Sequence, residues 1–282
     1  KSSLYDRKRK TMKKERVDVL AVQQGLFETR EQAKRGVMAG LVYIEKNKER
    51  LDKPGEKIDN QTILEIKGKK LPYVSRGGLK LEKALKQFDF SVKDKRVLDI
   101  GASTGGFTDV ALQNGAVLSY ALDVGYNQLA WKLRQDERVV VMERMNFRYA
   151  TPADFQFGTP EVATIDVSFI SLKLILPTLH QILLDRGDVM ALIKPQFEAG
   201  REAVGKHGIV RDPQTHRAVI EMIVSFATNE CFDVENLSYS PITGGEGNIE
   251  FLIHLKKASQ KGQIASTVSI DDVVIEAHNQ LT

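Results

Sequence analysis

The chain has 282 residues, enough for a core-forming domain of about 150–200 residues and a small accessory one. A single cysteine, Cys231, excludes an internal disulfide and a cysteine-built zinc site, and the longest apolar runs, such as Leu172-Lys173-Leu174-Ile175-Leu176, are too short to span a bilayer. The net charge of +4 conceals an asymmetry: residues 1–95 hold 25 Lys and Arg against 14 Asp and Glu, and the remainder holds 16 against 23. Such a division predicts two domains, with the basic one facing an anionic polymer such as a nucleic acid.

Residues 1–14 read as a basic extension or a cloning remnant, without the apolar stretch of a signal peptide. With the lone cysteine, this points to the cytoplasm. Apolar positions at helical spacing predict a helix over 16–26. Thr29 is placed to cap a second helix over 30–39, which Gly40 ends. Strands are expected at 41–44 and 62–66. Residues 15–70 are thus expected to form a small α/β module and 71–76 a linker. A helix over 77–88 opens a regular alternation. Strands are predicted at 96–100, 117–123, 138–143, 161–167 and 188–194, with helices at 105–114, 127–135, 171–186 and 213–230. Two further strands follow at 232–240 and 248–256. Strand and helix in alternation predict a doubly wound, mostly parallel α/β sheet over residues 77–257, whose ligands bind at the carboxyl ends of the strands. Residues 258–282 have a weak pattern and read as a tail.

The stretch DIGASTGGF, Asp99 to Phe107, follows the first strand of that sheet. Gly101 permits a sharp turn, and Gly105 and Gly106 let a ligand approach backbone at a helix N-terminus. Ser103 occupies the second glycine position of a dinucleotide fingerprint, and no Gly-Lys-Ser/Thr follows, which disfavours NAD and ATP. Asp123, at the end of the next strand, suits the two ribose hydroxyls of S-adenosylmethionine, whose sulfonium needs no pyrophosphate cradle. Asp99 is expected to face the ligand's amino group, and Ser103 and Thr104 to line the loop. Asp166 and Lys194 stand at later strand tips, Glu250 in the last strand, and Lys80 on the helix before the first. The loop 195–212 is long, with three bases and several glycines, which suits closure over a site or contact with a partner. His207 and His216 in this region have no metal-ligand spacing and read as polar surface residues; no metal is expected.

Taken together, SRGGLKL, DIGASTGGFTD, DVSFISL, IKPQFE and NIEFLIHL resemble the TlyA family, historically labelled hemolysins. Its members are ribosomal RNA methyltransferases related to the FtsJ 2′-O-methyltransferases. The module carrying RVDVL, TREQAKRGVMAGLVYI and KPGEKI resembles the RNA-binding domain of ribosomal protein S-four, with Glu45-Lys46 where Asn-Gly is usual. The resemblance implies a Rossmann-like methyltransferase sheet with an antiparallel last strand. It also implies S-adenosylmethionine as cofactor and cytidine 2′-O-methylation in ribosomal RNA of one or both subunits. A tetrad of Lys80, Asp166, Lys194 and Glu250 would do the chemistry. Lys194 would be the base, Lys80 would hold the hydroxyl, and the two carboxylates would orient the lysines. Asp166 would also border the cofactor. Candidate RNA contacts are Arg16, Arg30, Lys34, Arg35, Lys46 and Arg76. Ribosomal RNA or ribosomal subunits are the expected partners, with no membrane and no stable protein partner. Three rival readings are a membrane-active toxin, an RNA-binding accessory protein with an inactive methyltransferase fold, and a dehydrogenase on a similar sheet. The first lacks an apolar segment, the second would be expected to lose the tetrad, and the glycine loop disfavours the third.

Overall fold

A computed structural model describes residues 13–67, 72–244 and 247–282. Most of the predicted basic extension, the start of the predicted linker, and Gly245-Glu246 lie outside the described residues. The chain divides into two compact units, residues 1–75 and 76–282.

In the first unit, β1 (Lys14–Arg16) runs into α1 (Val17–Gln23), followed by α2 (Arg30–Met38), β2 (Val42–Ile44), β3 (Lys57–Asp59) and β4 (Leu64–Ile66). The short strands form two antiparallel pairs, β1 with β3 and β2 with β4. β1 and β3 have no apolar alternation to announce them, and β1 begins at Lys14, inside the predicted extension. Thr29 caps α2 in a capping box, its hydroxyl accepting from the Gln32 N–H while the Gln32 side chain accepts from the Thr29 N–H. Val17, Leu20 and Ala21 of α1 pack with Ala33 and Val37 of α2 and with Val42, Leu51 and Leu64 into a separate small core.

The second unit opens with α3 (Gly78–Gln87), β5 (Arg96–Ile100), α4 (Gly106–Gln113), β6 (Leu118–Leu122), α5 (Trp131–Arg134) and β7 (Val139–Met142). It continues with β8 (Val162–Ile165), α6 (Leu176–Ile182), β9 (Asp188–Ile193), α7 (Pro195–Glu198), α8 (Pro213–Asn229), β10 (Phe232–Tyr239), β11 (Phe251–Lys257) and α9 (Ile270–Leu281). The sheet order is β10-β11-β9-β8-β5-β6-β7. The five strands from β9 to β7 are parallel; β11, the last strand of the chain, runs antiparallel to β9, and β10, antiparallel to β11, returns to the direction of the other five. Strand β9 is buried at every residue and β8 likewise, as expected of parallel strands covered on both faces.

Three elements differ from the sequence-based expectation. The helix expected over 127–135 is only α5, because Asn127 has φ +59 and Ala130, with ψ 139, is not helical. The helix expected over 171–186 is broken into a 3-10 turn, Leu172–Leu174, and α6, which restarts with Pro177 in its first turn; proline has no N–H to continue a preceding helix. The carboxy-terminal segment is folded: Ile264 forms a parallel bridge to Val234, and α9 buries Val274 and Ala277 in the main core. His216 is also a correction. It is fully buried, edge-on to Phe251, with Nε2 2.9 Å from the Val210 carbonyl and Nδ1 2.9 Å from Nε2 of His278 on α9. It faces inward because α9 covers this side of α8.

Candidate active site

The carboxyl ends of the parallel strands gather the predicted residues. β5 lies between β6 and β8, so strand order reverses beside it, the place where open α/β sheets hold ligands. Gly101 just beyond β5 has φ +82, and a Cβ there would collide with the backbone carbonyl of Asp166 just beyond β8. The two strand tips are thus too close for any other residue. Gly105 has φ +99 and precedes α4; its missing Cβ leaves room for Leu129 and Leu133. The Thr104 carbonyl accepts from the Ala130 N–H, which ties the turn to the segment before α5. Gly106 opens α4, and the Phe107 side chain is buried in the interior. Phe107 is therefore available to a ligand through its backbone only.

Asp123, just beyond β6, accepts from two backbone N–H groups: Ser103 to Oδ2 and Gly125 to Oδ1, both at 2.7 Å. A shallow pocket opens here, lined by Ala102, Ser103, Ala121, Asp123, Leu129 and Val141 among others. Asp99 is placed differently from expectation. Its side chain turns inward from β5, with a residue exposure of 1%. Oδ2 accepts from the Thr108 N–H at 3.1 Å and the Thr108 hydroxyl at 2.8 Å. Burial pushes the Asp99 carboxyl up to about 7, against the Thr108 hydrogen bonds and with help from the charge of Asp166. Asp99 therefore anchors the turn from beneath.

The four tetrad residues meet. Lys80 on α3 places Nζ 3.3 Å from Asp166 Oδ2 and 3.1 Å from Glu250 Oε1. Lys194 places Nζ 2.5 Å from Asp166 Oδ1 and 3.4 Å from Ser168 Oγ. Sheet topology explains the convergence. β11 runs antiparallel to β9 with Phe251 opposite Ile193, so Glu250, immediately before β11, is brought beside Lys194, immediately after β9. Glu250 stands before the strand rather than within it as predicted, and a side chain at Gly244 would collide with its carboxylate. Burial alone would lower the Lys80 ammonium, but the charges of Asp166 and Glu250 outweigh it and raise it. Burial likewise disfavours the Asp166 carboxylate, yet Lys80 and Lys194 hold it below the usual range.

The basic candidates of the first unit divide. Asp18 is fully buried and takes hydrogen bonds from Arg16 and Arg30, which hold its carboxyl down at about 2. Arg16 and Arg30 therefore spend part of their charge internally. Lys34 pairs with Glu31 at the surface, and the Arg35 guanidinium donates to the Glu31 carbonyl. Lys46 is exposed beyond β2, and Arg76 is exposed ahead of α3.

Sequence reasoning read only Lys194 in KPQFE, but the whole of α7 works on the site. Gln196 Nε2 donates to Glu250 Oε2 at 2.9 Å. Glu198 accepts from the Ser171 hydroxyl at 2.6 Å and the Leu172 N–H at 2.8 Å, tying α7 to the loop after Asp166. Phe197 lies 4.9 Å, centroid to centroid, from Phe169, a residue 89% exposed and held at φ +64. The aromatic in DVSFISL was visible in the sequence; its unfavourable backbone and outward aim were not.

The reversed strand order, the glycine turn with an acid at the neighbouring strand tip, and the ion-paired tetrad together define a methyl-transferring enzyme on a Rossmann-like sheet. The model of the FtsJ-like methyltransferase family matches residues 73–257, and the chain belongs to that family, in its TlyA branch. A Bacillus subtilis protein, YqxC, provisionally named an rRNA methyltransferase, is 66% identical over 273 residues, 96% of each chain. The 16S/23S rRNA (cytidine-2'-O)-methyltransferase TlyA of Mycobacterium tuberculosis is 39% identical over 263 residues, 93% of this chain and 96% of its own. A solved structure from Streptococcus thermophilus, provisionally named a hemolysin, is 64% identical with a TM-score of 0.77, covering 96% of this chain and 98% of that one. Among the described residues, no helix is long and apolar enough to cross a membrane.

Proposed function

We propose that this methyltransferase transfers a methyl group from S-adenosylmethionine to a cytidine ribose 2′-hydroxyl in ribosomal RNA. The observation that carries the reading is the convergence of Lys80, Asp166, Lys194 and Glu250 beside the glycine turn and Asp123. The names of the relatives agree with it.

The residues present fit the cofactor. A carboxylate offers about four lone-pair sites. Two on Asp123 are taken by Ser103 and Gly125, which leaves two for a ribose diol. Ala102, Leu129 and Val141 give the small pocket beside Asp123 an apolar wall of the kind an adenine edge packs against. When bound, S-adenosylmethionine supplies the methyl carbon that the ribose oxygen takes.

The chain's own residues prepare that oxygen. Lys80 lies between two carboxylates and its ammonium is stabilised, so it acts as a fixed cation. Lys194 faces a single carboxylate, together with the Ser168 hydroxyl, and is the proton acceptor. For that step Lys194 works as the free amine, which takes the 2′-hydroxyl proton as general base. Asp166 holds both lysines in place, and most of the gain comes from position. Phe169, exposed beside the tetrad, offers a ring on which an unstacked base can lie.

The test is transfer of tritium from labelled S-adenosylmethionine to isolated ribosomal subunits, followed by mapping of the modified ribose. Lys194→Ala should abolish transfer and leave cofactor affinity within about twofold. Wild-type turnover by that variant, or label on a base instead of a ribose, refutes the reading.

A further inference from the structure

The tetrad's two carboxylates are held in different ways. Asp166 is gripped by both lysines. Glu250 receives Lys80 on Oε1 and the Gln196 amide on Oε2, and the Gln196 side-chain oxygen has no hydrogen-bond donor among the described residues although it is shut off from solvent. A buried acceptor without a donor has lost its bonds to water and gained none in return, which destabilises the fold. Turning the amide over would set that oxygen against the Glu250 carboxylate, so the observed orientation is forced. A methionine or leucine would fill this space without the cost. Packing therefore does not account for a glutamine here, whereas an N–H aimed at Glu250 does.

We propose that Gln196 is a positioning residue of the methyl-transfer site: its amide fixes Glu250, and Glu250 in turn fixes Lys80. The inference rests on the methyl-transfer reading. It assigns a task to α7 beyond carrying Lys194. Lys194 at the start of α7 binds Asp166, and Gln196 two residues later binds Glu250, so one turn sets the spacing of both carboxylates around Lys80.

The test uses the full chain with two substitutions. Gln196→Met keeps the length and removes both the N–H and the stranded oxygen. It should lower kcat at least tenfold, with KM for ribosomal subunits and cofactor Kd within twofold, and with Tm equal to or above wild type. Gln196→Glu sets two carboxylates together, and one of them takes up a proton as pH falls. The protonated form again offers a donor to Glu250, so activity relative to wild type should rise several-fold between pH 8 and pH 6. A substrate-free measurement accompanies these: acylation of Lys80 by an amine-directed reagent, read by peptide mass spectrometry, should be several-fold faster in Gln196→Met. Unchanged kcat in Gln196→Met, a pH-independent activity ratio in Gln196→Glu, or unchanged Lys80 labelling would each overturn the proposal. If the wild-type chain transfers no methyl group to ribosomal RNA, the functional reading fails, and Lys80 labelling still decides the link from Gln196 through Glu250 to Lys80.

Discussion

Asp99 and Asp123 are both acids near the glycine turn, yet their surroundings set them opposite tasks. Asp99 is buried and its carboxyl is raised to about 7, well above the ordinary value of about 3.9. Between about pH 4 and 7 the folded chain therefore holds a proton at this site that the unfolded chain has released. Through this site alone, unfolding free energy falls as pH rises across that window and levels off above it. Asp99→Asn keeps acceptors and donors for Thr108 and Thr164 and removes the titration. Urea unfolding from pH 4 to 8 should show the variant gaining on wild type as pH rises; a constant difference would mean that Asp99 does not titrate there. Asp123 is tied to backbone N–H groups and lines the small pocket at the strand ends. Asp123→Ala should weaken S-adenosylmethionine by about 1.5–3 kcal/mol, the worth of a hydrogen bond to a charged group. Calorimetry with the cofactor and with NAD checks this, and binding of NAD by the wild type would contradict the cofactor assignment.

Among the elements, α7 and α9 matter more than their patterns suggest. α9 buries Val274 and Ala277 and touches the loop before α8 through His278, His216 and the Val210 carbonyl. Asn248 holds the same loop from the other side, accepting from the Val210 N–H and donating to the Gly208 carbonyl. The carboxy-terminal helix thus belongs to the support of the Glu250 segment. Val274→Ala should cost about 2 kcal/mol in urea unfolding, from lost burial and the space left behind. A loss below about 0.5 kcal/mol would mean that α9 does not share the core's cooperativity. The central strands were legible because parallel strands covered on both faces read as unbroken apolar runs, as in Val189 to Ile193. α9 was not, because its buried face is narrow and Ile275 on its surface blurs the period. Asp166 and Lys194 were legible because charged residues at strand tips stand out against apolar runs, whereas Lys80, on α3, was marked by the family resemblance of SRGGLKL. Gln196 was not, because its task depends on the antiparallel register that sets Glu250 beside Lys194. No local pattern records a pairing between segments that far apart.

At the scale of the molecule, the charge asymmetry acquires a physical meaning once side-chain pairing is taken into account. Residues 1–95 carry the excess of Lys and Arg, but Arg16 and Arg30 partly neutralise the buried Asp18, and Lys34 leans on Glu31. Arg35, half-buried, and Lys46, exposed, have no carboxylate partner in an ion pair among the described residues. A basic unit on the same chain as an acidic catalytic one suits an enzyme whose affinity for RNA comes from phosphate contacts other than those at the reacting ribose. Phosphate contacts release counterions, so log affinity falls with log salt by about 0.7–0.9 for each contact. Replacing Lys34, Arg35 and Lys46 together by Gln in the full chain should flatten that slope on ribosomal subunits by about two to three. Affinity at low salt should drop steeply, while cofactor binding stays as in wild type, because every residue placed near the cofactor lies beyond residue 98. Arg16→Gln should behave differently: it strips a partner from buried Asp18 and should lower the stability of the first unit more than it changes the salt slope. An unaltered slope in the triple variant would move the RNA contacts away from this unit, toward Arg76 and the bases of the 195–212 loop.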